Sequence, residues 1–275
     1  MNSQSKLAVS QDLILAARQG LIPVRQRAWL GGFGNMLRKE LGQWWGTRTW
    51  WVQTLIWVLI LNGISTIVAL TEGLPPAELL QEVVQTFLPM SVGAVGMGTV
   101  IAAQGLIVGE KQLGTAAWVM SKPASRSAFI LAKVVANALG FWVTAIIIPS
   151  IIFVITVRTV VPVPLDLAPF LVGVGISALS QFFYLTLTIM LGTFFNSRGP
   201  IAGIGIGFVM TGLLLKGFIP MQVMIATPWP LPDVAGGLAL GMELPSIWPV
   251  PVIATAVWVI IMIAAALWRF GREEF

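Results

Sequence analysis

The sequence predicts an all-α, polytopic membrane protein with six transmembrane helices, and three observations carry that prediction. Hydrophobic residues make up 57% of the 275 and charged residues only 10%, with a mean hydropathy of +0.89, which lies outside the soluble range. The apolar residues come in six runs that reach or approach membrane length; a hydrocarbon core of roughly 30 Å takes about 20 helical residues. The basic residues gather at the ends of these runs, where they orient helices against the cytosolic leaflet.

Residues 1–49 read as a cytosolic tail followed by an interfacial helix. The first 30 residues carry Gln11 and Asp12 inside their only apolar stretch, so no signal peptide is expected. From residue 33 to 45, Phe33, Met36, Leu37, Leu41 and Trp44 fall on one helical face, and Arg38 and Lys39 fall away from it. Trp44, Trp45, Trp50 and Trp51 suit the headgroup level. Glu40 is out of place in the apolar stripe; it either pairs with a basic group or points at a partner protein.

The six-span domain covers residues 50–268, with spans at about 50–70, 86–108, 129–157, 168–193, 200–219 and 250–268, and residues 269–275 form a cytosolic tail. Residues 72–85 carry three glutamates and no Lys or Arg, and should form a short outer helix begun at Pro75-Pro76. Ala94, Gly98 and Ala102, and again Gly199, Gly203, Gly207 and Thr211, recur every four residues, a spacing that admits a close helix neighbour. Residues 220–249 are apolar but broken by Pro228, Pro230, Pro232 and Pro245, and fit an outer re-entrant or interfacial hairpin with Asp233 capping a short helix. Lys133 and Lys216 sit near helix ends and are expected to snorkel. Of the 16 Lys and Arg residues, only Arg158 and Lys216 fall outside, which supports six spans with both termini cytosolic.

The same inventory excludes much chemistry. With no Cys and no His there is no thiolate, no imidazole base and no ordinary metal site, so no catalytic, cofactor-binding or metal residue is expected. A charge in mid-span costs roughly 2.5–3.5 kcal/mol and is a mark of ion-driven carriers; none is present here. Gln104, Asn137, Gln181 and Tyr184 are the larger polar residues within spans, serving either interhelical hydrogen bonds or a substrate path. No G-x-x-x-x-G-K-[ST] loop occurs, so a nucleotide-driven process needs another chain. The basic pI near 10.1 follows from the positive-inside bias, and no nucleic-acid partner is expected.

The polar stretch 109–127 is the main functional clue, with two glycines, four charges and Pro123 between two apolar runs. Residues 110–120 should form about three turns of helix with Leu113, Ala117 and Met120 on one face, ended by Pro123, after which Ser125 caps the third span. Glu110-Lys111-Gln112-Leu113-Gly114-Thr115, followed by Pro123-Ala124-Ser125-Arg126, resembles the E-x-x-x-G-T … P-x-S-R pattern of type-2 ABC transporter permeases. Arg38-Lys39-Glu40-Leu41 is similar to that family's interfacial helix, and 268–275 to its usual terminus.

The resemblance implies a permease subunit, an exporter working by alternating access, that dimerises with a second copy or a paralogue and binds separate ATP-binding-cassette ATPase subunits. ATP and Mg would then lie on the partner. It implies a coupling helix at 110–120, with Glu110, Lys111, Gly114 and Thr115 as coupling residues and Arg38 and Glu40 beside them. It further implies a prokaryotic inner (plasma) membrane as the location. Two rival readings are a non-transporting scaffold that docks a cytosolic partner through the 109–127 loop, and an intramembrane enzyme, which the missing His, Cys and mid-span acids disfavour.

Overall fold

The computed structural model describes residues 29–121 and 124–273, and all the regular structure among them is helical. Helix α1 (Phe33–Trp45) is followed by α2 (Thr49–Thr71), α3 (Pro76–Gln112), the short α4 (Thr115–Met120), α5 (Arg126–Val160), α6 (Leu167–Phe194) and α7 (Arg198–Leu214). Then come α8 (Met221–Met224), α9 (Leu231–Ala239) and α10 (Pro249–Gly271). Five of these, α2, α3, α5, α6 and α10, are long and apolar enough to cross a membrane.

The segment expected as the fifth of six spans is shorter. Helix α7 has 17 residues, about 26 Å at roughly 1.5 Å per residue. The chain leaves the α-helix at Leu215, turns through Lys216–Phe218 and meets Pro220, so the apolar run to Ile219 is not helical throughout. Proline cannot continue a helix, and Gly217 weakens one.

The outer helix expected at 72–85 is not separate. Pro75 stands at the N-cap and Pro76 in the first turn, with Glu78 beside them, and the helix then runs unbroken to Ala103. Leu79, Val83 and Val84 face the core from this stretch, which ties it to the bundle.

Two helices carry a widened turn, Val58–Asn62 in α2 and Trp142–Ile147 in α5. In α5 the cause lies one turn on: Pro149 has no N–H to give, and its ring crowds the carbonyl of Ala145, inside the widened turn.

The bundle has two ends. The base carries α1, the α3–α5 connection, the α6–α7 turn and the last turn of α10, drawn together by Ser125 Oγ donating to Trp29 O at 2.6 Å, Gln112 Nε2 to Asn196 O at 2.9 Å and Arg126 Nη1 to Gly271 O at 2.5 Å. Ser125 also accepts from Ala128 N at 3.0 Å, the expected cap of α5. At the base the rings of Phe129 and Phe270 stack at 5.0 Å. At the distal end Phe87, Phe153 and Phe170 stack through α3, α5 and α6, at 4.1 and 5.4 Å.

Helix α6 is the most enclosed of the long helices. Some of its polar groups are satisfied within the bundle: Ser177 shares a hydrogen bond with Ser91 of α3 at 2.6 Å, and Thr188 donates to the carbonyl of Tyr184 at 2.7 Å. Residues 220–249 form α8, α9 and loops that lie over the distal ends of α3 and α6. Leu231 and Ala235 are fully buried there, and a Cβ at Gly236 would stand 2.6 Å from Gln85 Oε1. Gly241, at φ +64°, ends α9, and Met242 N reaches back to Gly237 O at 2.9 Å. Asp233 does not cap α9. Pro230 occupies that position, and Asp233, in the first turn, pairs with Lys216. Lys216 is therefore held by a carboxylate and does not simply snorkel.

Candidate functional site

The polar stretch at the base is an elbow, not the continuous helix expected over 110–120. Helix α3 slackens into a turn at residues 104–107, resumes at Val108–Gln112 and stops. Gly114 then adopts φ +68°, the left-handed region that costs a residue with a Cβ roughly 1–2 kcal/mol. Thr115 Oγ1 donates back to Glu110 O at 3.2 Å, and α4 leaves in a new direction. The periodicity of Leu113, Ala117 and Met120 suggests one helix, but the glycine between them reverses the chain. Pro123, expected to end that helix, and Lys122 lie outside the described residues.

Glu110 is the centre of a charge cluster. Its Oε1 receives Lys39 Nζ at 2.6 Å and Lys133 Nζ at 2.8 Å, and Glu40 Oε1 receives Lys133 at 3.0 Å and Lys39 at 3.1 Å. Two ammonium groups and two carboxylates thus alternate in a ring contributed by α1, α3 and α5. The Lys133 and Glu40 side chains are only 2% and 4% exposed. A charge buried alone costs several kcal/mol, so each carries its counter-charge with it. Lys133 therefore does not snorkel; two carboxylates and the Phe129 ring, 5.1 Å away, enclose it. Burial pulls the pKa of the half-exposed Lys39 down, but the hydrogen bond and charge of Glu110 and the charge of Glu40 outweigh this and leave it above the ordinary lysine value.

One turn along α5, Asn137 Nδ2 donates to Lys133 O at 2.8 Å and its Oδ1 accepts from Trp44 Nε1 at 3.0 Å. The Trp44 indole lies on Gly140, where a Cβ would stand 2.3 Å away, and meets the Phe141 ring edge-on at 4.9 Å. Trp44 is thus a buried clamp between α1 and α5, unlike Trp45, Trp50 and Trp51, which are exposed. Asn137, a candidate for a substrate path, is occupied by this clamp.

The neighbours of Glu110 point elsewhere. Lys111 pairs with Glu273 at 3.0 Å and donates to Thr193 O at 3.0 Å, and Arg269 meets Glu273 at 2.9 Å. Gln112 holds the α6–α7 turn, and the Arg198 guanidinium would lie 3.3 Å from a Cβ at Gly105. Three successive residues therefore tie the end of α3 to α1 and α5, to the ends of α6 and α10, and to the start of α7.

The sequence-predicted residues divide accordingly. Glu40, Glu110 and Lys111 lie in the network, Gly114 and Thr115 form the elbow, and Arg38 is exposed and makes no ion pair among the described residues. Lys39, Lys133, Trp44 and Glu273 were not singled out for this role. The available signal was a pair of misplaced charges, Glu40 in an apolar stripe and Lys133 inside an apolar run. Beyond the network, Leu113 is 78% and Trp118 62% exposed on the elbow.

The remaining polar candidates lie within the spans. Gln104 donates to Ile101 O at 3.0 Å. Gln181 is fully buried, and neither of its amide atoms has a partner among the described residues. Tyr184 lines a cavity of about 450 Å³ between α3, α6, α7 and the loop before α9.

A family model described as ABC-2 family transporter protein matches residues 35–232, well over half of the chain. The chain belongs to the ABC-2 transporter family. The match includes both sides of the charge cluster, the elbow and the cavity apart from Asp233, and stops near the start of α9. Comparison with curated proteins finds no match. As a member of the ABC-2 family with helices of membrane-crossing length, the chain is a multi-pass membrane permease of an ABC transporter.

Proposed function

We propose that this ABC-2 permease is an exporter half that takes its energy from a separate ATP-binding-cassette ATPase seated on the base, where ATP and Mg are held by the partner. The observation that supports it is the joining, at residues 110–112, of α1, α5, α6, α7 and α10 beneath an elbow that presents Leu113 and Trp118 outward. A partner that moves the elbow would move all five elements, as alternating access requires. The Lys and Arg bias toward the base supports a cytosolic base, with both termini on that side, and the membrane proposed is that of a prokaryotic cell. Helix α7 would complete a sixth crossing, since it starts beside Gly105 at the base and ends against Trp229 at the distal end. Gly199, Gly203 and Gly207 have nothing within 4 Å of where a Cβ would stand; this leaves room for a second permease copy or a paralogue.

The test is affinity purification from native membranes followed by ATP turnover in lipid. An ATP-hydrolysing subunit is expected to co-purify, and Leu113→Asp, at an exposed site outside the charge cluster, is expected to release it while the permease elutes unchanged. Recovery of the chain with no ATPase would favour a scaffold and overturn the reading.

A further inference from the structure

The distal cavity has the character of a built site. Met90 and Met97 of α3 and Met210 of α7 form its walls, with Trp229 at one side and Lys216 and Asp233 at the rim. Its volume of about 450 Å³ falls in the range of roughly 300–1,000 Å³ found for small-molecule sites. Methionine walls re-pack around apolar bodies of differing shape.

The site is preformed. Trp229 Nε1 donates to Phe208 O at 3.0 Å, its ring packs 4.9 Å from Phe208, and Gly212 leaves the space the indole occupies. Tyr184 is 5% exposed, with its ring against Gly96. It lines the cavity, and its hydroxyl has no hydrogen-bond partner among the described residues. A hydroxyl at the wall of a cavity can donate to or accept from a guest.

The charges decide the class. Lys216 and Asp233 pair with each other, with side chains 40% and 61% exposed, so the rim holds one charge of each sign and no excess of either. A simple anion or cation is matched by only one member of this half-exposed pair and repelled by the other. A zwitterion exchanges one ion pair for two. We propose that this cavity binds a zwitterionic amphiphile, with its anionic group on Lys216, its ammonium on Asp233, its apolar body between Met90, Met97 and Met210, and a polar linkage in reach of Tyr184. As a transport site the cavity rests on the permease reading above; as a binding site it is tested without ATP.

The absence of cysteine supplies the assay. Gly93 lines the cavity and has open space where a Cβ would stand, so Gly93→Cys should fit, with Leu213→Cys, an exposed lining residue of α7, as a second reporter. In phosphatidylglycerol vesicles, which contain no zwitterionic lipid, the reaction of this cysteine with a maleimide is followed as dodecylphosphocholine is added. At ten times its Kd the amphiphile should slow labelling about 10-fold by mass action. Dodecyltrimethylammonium should slow it little, and Ile204→Cys on the open side of α7 should be unaffected. Adding Lys216→Gln with Asp233→Asn should abolish the protection while leaving the unprotected rate unchanged. Equal protection by the cationic amphiphile, protection that survives the double substitution, or none at either reporter overturns the proposal. With an ATPase bound, stimulated turnover marks the amphiphile as cargo and unchanged turnover marks it as a resident lipid; both leave the binding assignment standing. Recovery of the chain without an ATPase would sink the ATPase-driven exporter reading and leave the labelling result untouched.

Discussion

At the scale of single residues, the buried ring of Lys39, Glu40, Glu110 and Lys133 decides how α1 is held. Lys133→Met leaves Glu40 and Glu110 enclosed without their deepest counter-charge, and removing one member of a buried pair costs about 3–5 kcal/mol. Glu40→Gln in the same chain removes part of what was left uncompensated. The double variant should therefore be less destabilised than the two single variants together, by a coupling of about 0.5–3 kcal/mol, as read from unfolding of the detergent-purified protein. Strict additivity would show that the ring is not a coupled unit. The Lys39–Glu110 pair gives the sign of the pH response. The Lys39 pKa is raised in the folded protein, so its contribution is fully present below the unfolded lysine value of about 10.4 and is lost only as pH rises through the higher folded value. The pH dependence of stability across pH 6–9 should accordingly be the same in Lys39→Arg as in the parent, whatever the offset between them, with a difference in slope opening only in strong alkali. Half of this ring was legible in the sequence. Glu40 stood out because it broke an apolar stripe. Lys133 is 93 residues away from it, and at a helix end a lysine satisfied by two carboxylates reads the same as one that reaches water.

At the scale of elements, hydropathy located the long helices well because their lengths answer to one physical constraint, the thickness of the hydrocarbon. It did less well where backbone chemistry intervenes. Residues 110–120 have a helical period, but Gly114 at φ +68° converts them into two short pieces. Pro76 starts α3 ten residues before the expected span because the extra turns have their own buried face. The elbow yields a prediction of its own. Gly114 has no atom within 4 Å of a Cβ, so Gly114→Ala tests conformation alone; it should cost about 1–2 kcal/mol locally. Gly114→Val, β-branched and more restricted, should reduce transport-linked ATP turnover further while both variants elute as the parent does. Turnover equal to the parent in both would mean that the elbow geometry does not carry the coupling.

At the scale of the whole molecule, the question is which way the bundle faces and how many times the chain crosses. Contacts along α7 run from Arg198 beside Gly105 at the base to Gly212 against Trp229 at the distal end, and the sixth crossing proposed for its 17 residues rests on them. A short helix can do this where its flanks are covered by protein and the bilayer thins locally. The distal loops would then face the opposite solvent from the elbow, and the excess of Lys and Arg would place the elbow in the cytosol. In this cysteine-free chain, Leu113→Cys and Glu243→Cys are both exposed reporters, one at each end. With a maleimide that does not cross lipid, Glu243→Cys should react in intact cells, and Leu113→Cys only after the membrane is opened or inverted. Reaction of both from one side would break the six-crossing topology, because α10 would then have to return to the base from the side on which α7 began. The reverse pattern, with Leu113 outside, would keep the crossings but place the elbow beyond the reach of cytosolic ATP, and the energy-coupling role proposed for Glu110 would fall with it.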